Sequence, residues 1–131
     1  MVKTVKDMLA DADAPVEKID YARATSLIAD GALVVDIRDA PEVAVTGKVA
    51  GAVHVPRGML GFRADAATPP TTTPNSKTDR PVILYCASGG RTALSGKLLQ
   101  EMGYTHVYNM GGFKDWAEVG GAVAQIADKA R

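Results

Sequence analysis

Short apolar runs alternate along this chain with stretches in which apolar positions recur every three or four residues, the pattern of parallel strands joined by crossover helices. Val2, Val5, Met8 and Leu9 are spaced as one face of a short N-terminal helix. A brief strand is expected around Val16–Ile19, and Asp20 is placed to cap a helix over Tyr21–Ala29 that Asp30-Gly31 ends. Leu33–Asp36 reads as a central strand with both faces buried. Pro41 opens a short helix across Glu42–Val45, Gly47 and Gly51 mark turns, Ala52–Val55 predicts a strand, and Gly58–Ala64 a helical turn. Residues 65–80, with TPPTTTPNSK at their centre, lack periodicity and predict a long surface loop. Val82–Tyr85 is the clearest strand, followed by a helix from about Arg91 to Met102 that turns Ala93, Leu94, Leu98 and Leu99 to the core. A last strand is expected at Thr105–Tyr108, a turn at Gly111-Gly112, a helix at Phe113–Val119 and a short final helix from Gly121. The fold class expected is α/β, a three-layer α/β/α domain over residues 1–131 with a mainly parallel central sheet of about five strands.

Composition narrows the function classes. The 131 residues are enough for one core, and 47% hydrophobic with 23% charged residues describes a globular chain. Fifteen basic and fifteen acidic side chains balance to a net charge of zero, so neither a nucleic-acid footprint nor a polybasic membrane anchor is expected. Any anion site must be local. The single cysteine has no internal disulfide partner, and the N-terminus shows no signal-peptide core, so a cytoplasmic location is expected. One cysteine and two histidines without ligand spacing make a metal site unexpected.

The chemistry centres on YCASGGRT, residues 85–92. A strand that turns through glycines into a helix aims backbone N–H groups inward, and the helix N-terminus favours negative charge there. Cys86 occupies that point, where its thiolate would be favoured. Gly89 and Gly90 allow positive φ and a close curl around an anion. Ser88 is placed to donate its hydroxyl, Thr92 to cap or donate at the helix start, and Arg91 to hold an oxyanion. A lone cysteine at a strand end is more often a small buried hydrophobe; the Gly-Gly-Arg continuation argues for chemistry instead, because packing requires none of it.

CASGGR, followed by TALSGKLLQEMGY and NMGGFKDW, resembles the active-site half of a single-domain rhodanese. VVDIRDAPEV and GKVAGAVHVPRGML resemble the amino-terminal half, so the likeness spans roughly residues 16–119. It implies that Cys86 is the nucleophile, taking a sulfane sulfur from a donor such as thiosulfate as a persulfide and passing it to cyanide or a thiol, with no cofactor. Ala87, Ser88, Gly89, Gly90 and Arg91 would then cradle the persulfide and the donor's oxyanion. The chain has Lys48-Val49-Ala50 where the family often reads His-Ile-Pro, and alanine at position 87 where many relatives carry a larger residue. Phosphatases of this fold place five residues between cysteine and arginine, whereas Cys86 and Arg91 are separated by four, a smaller anion pocket. A Cys-dependent phosphatase or arsenate-type enzyme, and a sulfur-carrier or binding module without turnover, are the rival readings. With no second cysteine to resolve a persulfide, the acceptor must be external, a small molecule or a protein thiol.

Around this loop, Asp36 is expected to satisfy loop amides and Arg38 to pair with Glu42, both structural roles. Arg57 and Arg63 follow a neighbouring strand end and are placed to draw in an anionic donor, though a solvated surface role is the commoner fate of such arginines. His54 and His106 are expected within strands without a catalytic role, and Phe113 and Trp116 in the core.

Overall fold

The computed structural model describes residues 2–13, 15–65 and 78–125, so most of the long surface loop lies outside the described residues. Thirteen elements follow in order. They are α1 (Val5–Asp13), β1 (Glu17–Lys18), α2 (Tyr21–Ala29), β2 (Leu33–Asp36), α3 (Ala40–Thr46), β3 (Lys48–Val49), β4 (Val53–His54), α4 (Arg57–Arg63), β5 (Val82–Cys86), α5 (Gly90–Glu101), β6 (Val107–Gly112), α6 (Phe113–Glu118) and β7 (Val123–Ala124). Five strands form a wholly parallel sheet in the order β1-β6-β5-β2-β4.

The two-residue period of the central strands divides the core. Leu33, Val35, Val82, Leu84 and Cys86 face one way and meet Leu60 of α4 and Leu99 of α5. Val34, Ile83 and Tyr85 face the other way and meet Ala24 and Leu27 of α2 with Phe113 and Trp116 of α6. The three-layer α/β/α arrangement follows from that alternation, since a sheet apolar on both faces must be covered on both. Among the described residues, no helix is long and apolar enough to cross a membrane.

Local signals worked where they were strong. The Asp20 carboxylate accepts from the Arg23 amide at 2.9 Å and caps α2, and β2 spans Leu33–Asp36 as expected. Four expectations are corrected. On α5, Leu98 is 36% exposed, and the buried face is Thr92, Ala93, Ser95, Gly96 and Leu99. Gly96 explains the roll of that helix: a Cβ there would stand 2.8 Å from a Val16 methyl, so only glycine lets the helix approach this closely. The Gly111-Gly112 pair is the end of β6, not a free turn. Between Leu84↔Asn109 and Cys86↔Gly112 the register gains one residue on β6, a bulge that Gly111 absorbs at φ +90°. His106 precedes β6 and is exposed. The segment after Gly121 is β7, antiparallel to β3, and its approach is fixed by the Trp116 indole N–H donating to the Ala122 carbonyl at 2.9 Å.

Candidate active site

Parallel strands bring their carboxyl ends to one edge of the sheet, and β5 ends there on Cys86. Residues 87–89 turn, and α5 starts at Gly90 with Gly89 as its N-cap at φ +101°, a left-handed conformation that a side chain would strain. Gly90 does not share that conformation and has open space beside it, so only one of the two glycines is conformationally required. The turn points the Gly89 amide at the Cys86 sulfur, 3.0 Å away.

The turn is supported from β6 by residues that sequence reasoning missed. Asn109, buried in the sheet, donates its amide N–H to the Gly89 carbonyl at 3.4 Å and accepts from the Gly111 amide at 2.8 Å. A Cβ at Gly112 would overlap the Ala87 carbonyl, so the loop is seated on a strand kept bare. The available signal was an asparagine two residues before a glycine pair, a sequence that fits a bulge as well as a turn.

Cys86 is fully buried, with 0% exposure. Burial alone pushes its pKa up. The Thr92 hydroxyl and the amides of Gly89, Thr92 and Ser88 pull it down further, and the net shift is below the ordinary thiol value. Thr92 Oγ1 is itself buried and meets no partner at good hydrogen-bond geometry. The Thr92 hydroxyl, buried beside the sulfur, favours the charged form of Cys86. Ser88 contributes its amide; its side chain is exposed, lining a cavity of about 400 Å³ with Gly89, Gly90 and Asn109.

The ion pairs differ from the sequence expectation. Glu42 pairs with Arg91, not Arg38: both carboxylate oxygens accept from the Arg91 guanidinium at 2.9 Å. This bidentate contact holds the Glu42 carboxyl down at about 2 and raises the Arg91 pKa above its ordinary value. The Arg91 charge is therefore anchored to α3 at the rim of the loop. Arg38 turns inward to Asp36, with Nη2 to Oδ2 at 2.7 Å and Nε to both oxygens at 3.1 Å. Asp36 also accepts from the Arg38 amide, and Arg38 donates to Thr46 Oγ1 and the Gly47 carbonyl. The capping box between Asp39 and Glu42 sets the start of α3 and thereby the position of Glu42.

Arg57 shares a cavity of about 550 Å³ with Arg91, Asp39 and Ser95, so it stands on the active-loop side of the molecule. Arg63, at the other end of α4, lines neither that cavity nor the one beside Ala87. His54 bonds the Arg38 carbonyl at 2.7 Å, a positioning contact. Among the described residues, no three His, Cys, Asp or Glu side chains group as a metal site.

A family model described as rhodanese-like domain matches residues 20–119. Thiosulfate sulfurtransferase PspE of Escherichia coli is 37% identical over 83 residues, covering 63% of this chain and 72% of the relative. Thiosulfate sulfurtransferase GlpE of Pseudomonas entomophila is 32% identical over 101 residues, covering 76% and 84%. Among solved structures, a Rhodopseudomonas palustris protein of unknown function, described as a "possible tyrosine phosphatase", superposes with a TM-score of 0.82 at 34% identity, covering 95% of this chain and 96% of that one. The human single-domain sulfurtransferase TSTD1 superposes with a TM-score of 0.67 at 25% identity, covering 80% and 96%.

Proposed function

The chain belongs to the rhodanese-like family, and from that premise we propose that it is a sulfurtransferase whose Cys86 carries a persulfide. The observation that supports this reading is the loop geometry: the Gly89 amide 3.0 Å from the sulfur, with the Thr92 hydroxyl and two further amides lowering the thiol pKa despite full burial. The Cys86 thiolate attacks the outer sulfur of thiosulfate or a similar donor. The sulfur–sulfur bond of the donor breaks, and its electron pair leaves with sulfite. The same amides then hold the persulfide anion, as they held the thiolate. Cyanide or a thiol, small or protein-borne, takes the outer sulfur and returns Cys86 to its thiolate.

Arg91 in this reading keeps the rim cationic while Glu42 fixes its orientation, and Arg57 across the same cavity adds a second positive charge for an anionic donor. The lone thiol suits a reducing cytoplasm. Mass measurement after incubation with thiosulfate tests the proposal: one added sulfur on the Cys86 peptide is expected, and a chain that stays unmodified refutes it. The neighbour described as a "possible tyrosine phosphatase" supplies a second reading. Four residues between Cys86 and Arg91 and an arginine already clamped by Glu42 favour sulfur over phosphate. Release of phosphate from an aryl phosphate, lost in Cys86→Ser, would reverse that preference.

A further inference from the structure

The Glu42–Arg91 ion pair separates two cavities. Arg91 lines the one it shares with Arg57, while Glu42 lines a second, of about 480 Å³, that opens beside Ala87, the residue following the nucleophile. Pro41, Val45 and Phe113 supply the apolar wall of the second cavity. Every charged or hydroxyl side chain facing it already has a partner. Arg38 is held by Asp36, Glu42 by Arg91, and Lys114 lies 3.9 Å from Glu118. The Thr46 hydroxyl donates to the Gly47 carbonyl at 2.8 Å and accepts from Arg38 at the same distance.

Lys114 keeps its ammonium in solvent at the rim, and the polar groups set into the wall are already satisfied, so the interior offers little to offset the dehydration of an ionic ligand and favours an apolar one. The volume is that of a site for an organic molecule, far larger than cyanide or thiosulfate would occupy. Val45 stands at the rim 81% exposed, an apolar side chain that the fold itself leaves in water.

We infer that this cavity is an acceptor subsite for an organic thiol with an apolar, uncharged body. The inference rests on Cys86 forming a persulfide. The acceptor thiolate attacks the outer sulfur of that persulfide, and the bond between the outer sulfur and the Cys86 sulfur breaks. Its electron pair returns to Cys86, the acceptor leaves as an organic persulfide anion, and no oxidant or reductant is consumed.

Straight-chain alkanethiols from ethanethiol to hexanethiol, nearly equal in thiol acidity, test the subsite as acceptors for the thiosulfate-loaded protein. The discharge rate constant is expected to rise about fourfold per methylene, the factor that matches ~0.8 kcal/mol for a buried CH₂. Val45→Glu is expected to flatten the rise. A rate independent of chain length, with cyanide discharge intact, overturns the subsite and leaves the sulfurtransferase reading standing; so does a slope that survives in Val45→Glu. Failure of the same loaded sample to discharge to cyanide sinks the sulfurtransferase reading and the subsite together.

Discussion

The ends of β2 and β5 lie side by side in the sheet, Asp36 in register with Tyr85, and both bury a polar group completely. At the end of β2 each nitrogen of the Arg38 guanidinium has a partner. The Asp36 carboxylate takes the Arg38 guanidinium and amide, and further Arg38 N–H groups go to Thr46 and Gly47. The Arg38 guanidinium also covers the Phe113 ring at 4.5 Å, so the cluster is sealed by stacking as well as by hydrogen bonds. At the end of β5 the Thr92 hydroxyl and the amides of Gly89, Thr92 and Ser88 surround the Cys86 sulfur and outweigh the effect of burial on its pKa. Burial therefore does not by itself separate the two polar groups. What differs is the partner of the surrounding donors: at β2 an ion pair already formed, at β5 a sulfur whose charged form they favour.

Four substitutions break or sharpen this contrast. Cys86→Ser removes the nucleophile while keeping the shape of the loop, and thiosulfate–cyanide turnover is expected to fall on the order of 10³-fold or more. Turnover retained in that variant would place the chemistry elsewhere. Asp36→Ala leaves the Arg38 charge buried and unpaired, which should cost about 3–5 kcal/mol of unfolding free energy, measured by denaturant titration. A loss under about 1 kcal/mol would mean that the β2 cluster relaxes easily and is not the rigid counterpart described above.

Thr92→Val deletes only the buried hydroxyl. The thiol pKa should rise, shown by the pH dependence of alkylation of Cys86, and turnover at neutral pH should drop about tenfold, the size of one lost hydrogen bond to a charged group. Alkylation with an unchanged pH profile would show that the amides suffice. The smallest effect is expected for Glu42→Gln. The Glu42 and Arg91 side chains are 36% and 33% exposed, so solvent screening limits the pair to about 0.5–1 kcal/mol. The Glu42 carboxyl is lowered from 4.5 to about 2, so its contribution is complete above 4.5 and fades as the pH falls from there through 2. Glu42→Gln should lose less stability across that acid window than the parent chain, as measured by thermal unfolding at a series of pH values.

Sequence reasoning reached the loop itself because every requirement there is local: a strand that stops, a glycine that turns, and a helix that begins, all within seven residues from Cys86 to Thr92. It misassigned Glu42 because Arg38 lies four residues away in sequence and Arg91 forty-nine. Asp36 competes for Arg38 from two residues away and wins by burial, so Glu42 is left to whatever the fold brings to its helix. Asn109 was passed over and Gly112 was read as a turn for a related reason: what they support is the back of a loop twenty or more residues earlier.

The order of the elements from α1 to α6 apart from β3, the two-sided burial of the central strands and the cap of α2 were written in the chain itself, because propensity, periodicity and capping act over a few residues. The roll of α5 onto Gly96, the pairing of β7 with β3, the choice of Arg91 as partner of Glu42 and the bare strand beneath Ala87 were decided only in three dimensions. Each depends on how closely two distant backbones approach, a distance set by the packing of the whole sheet and its helices.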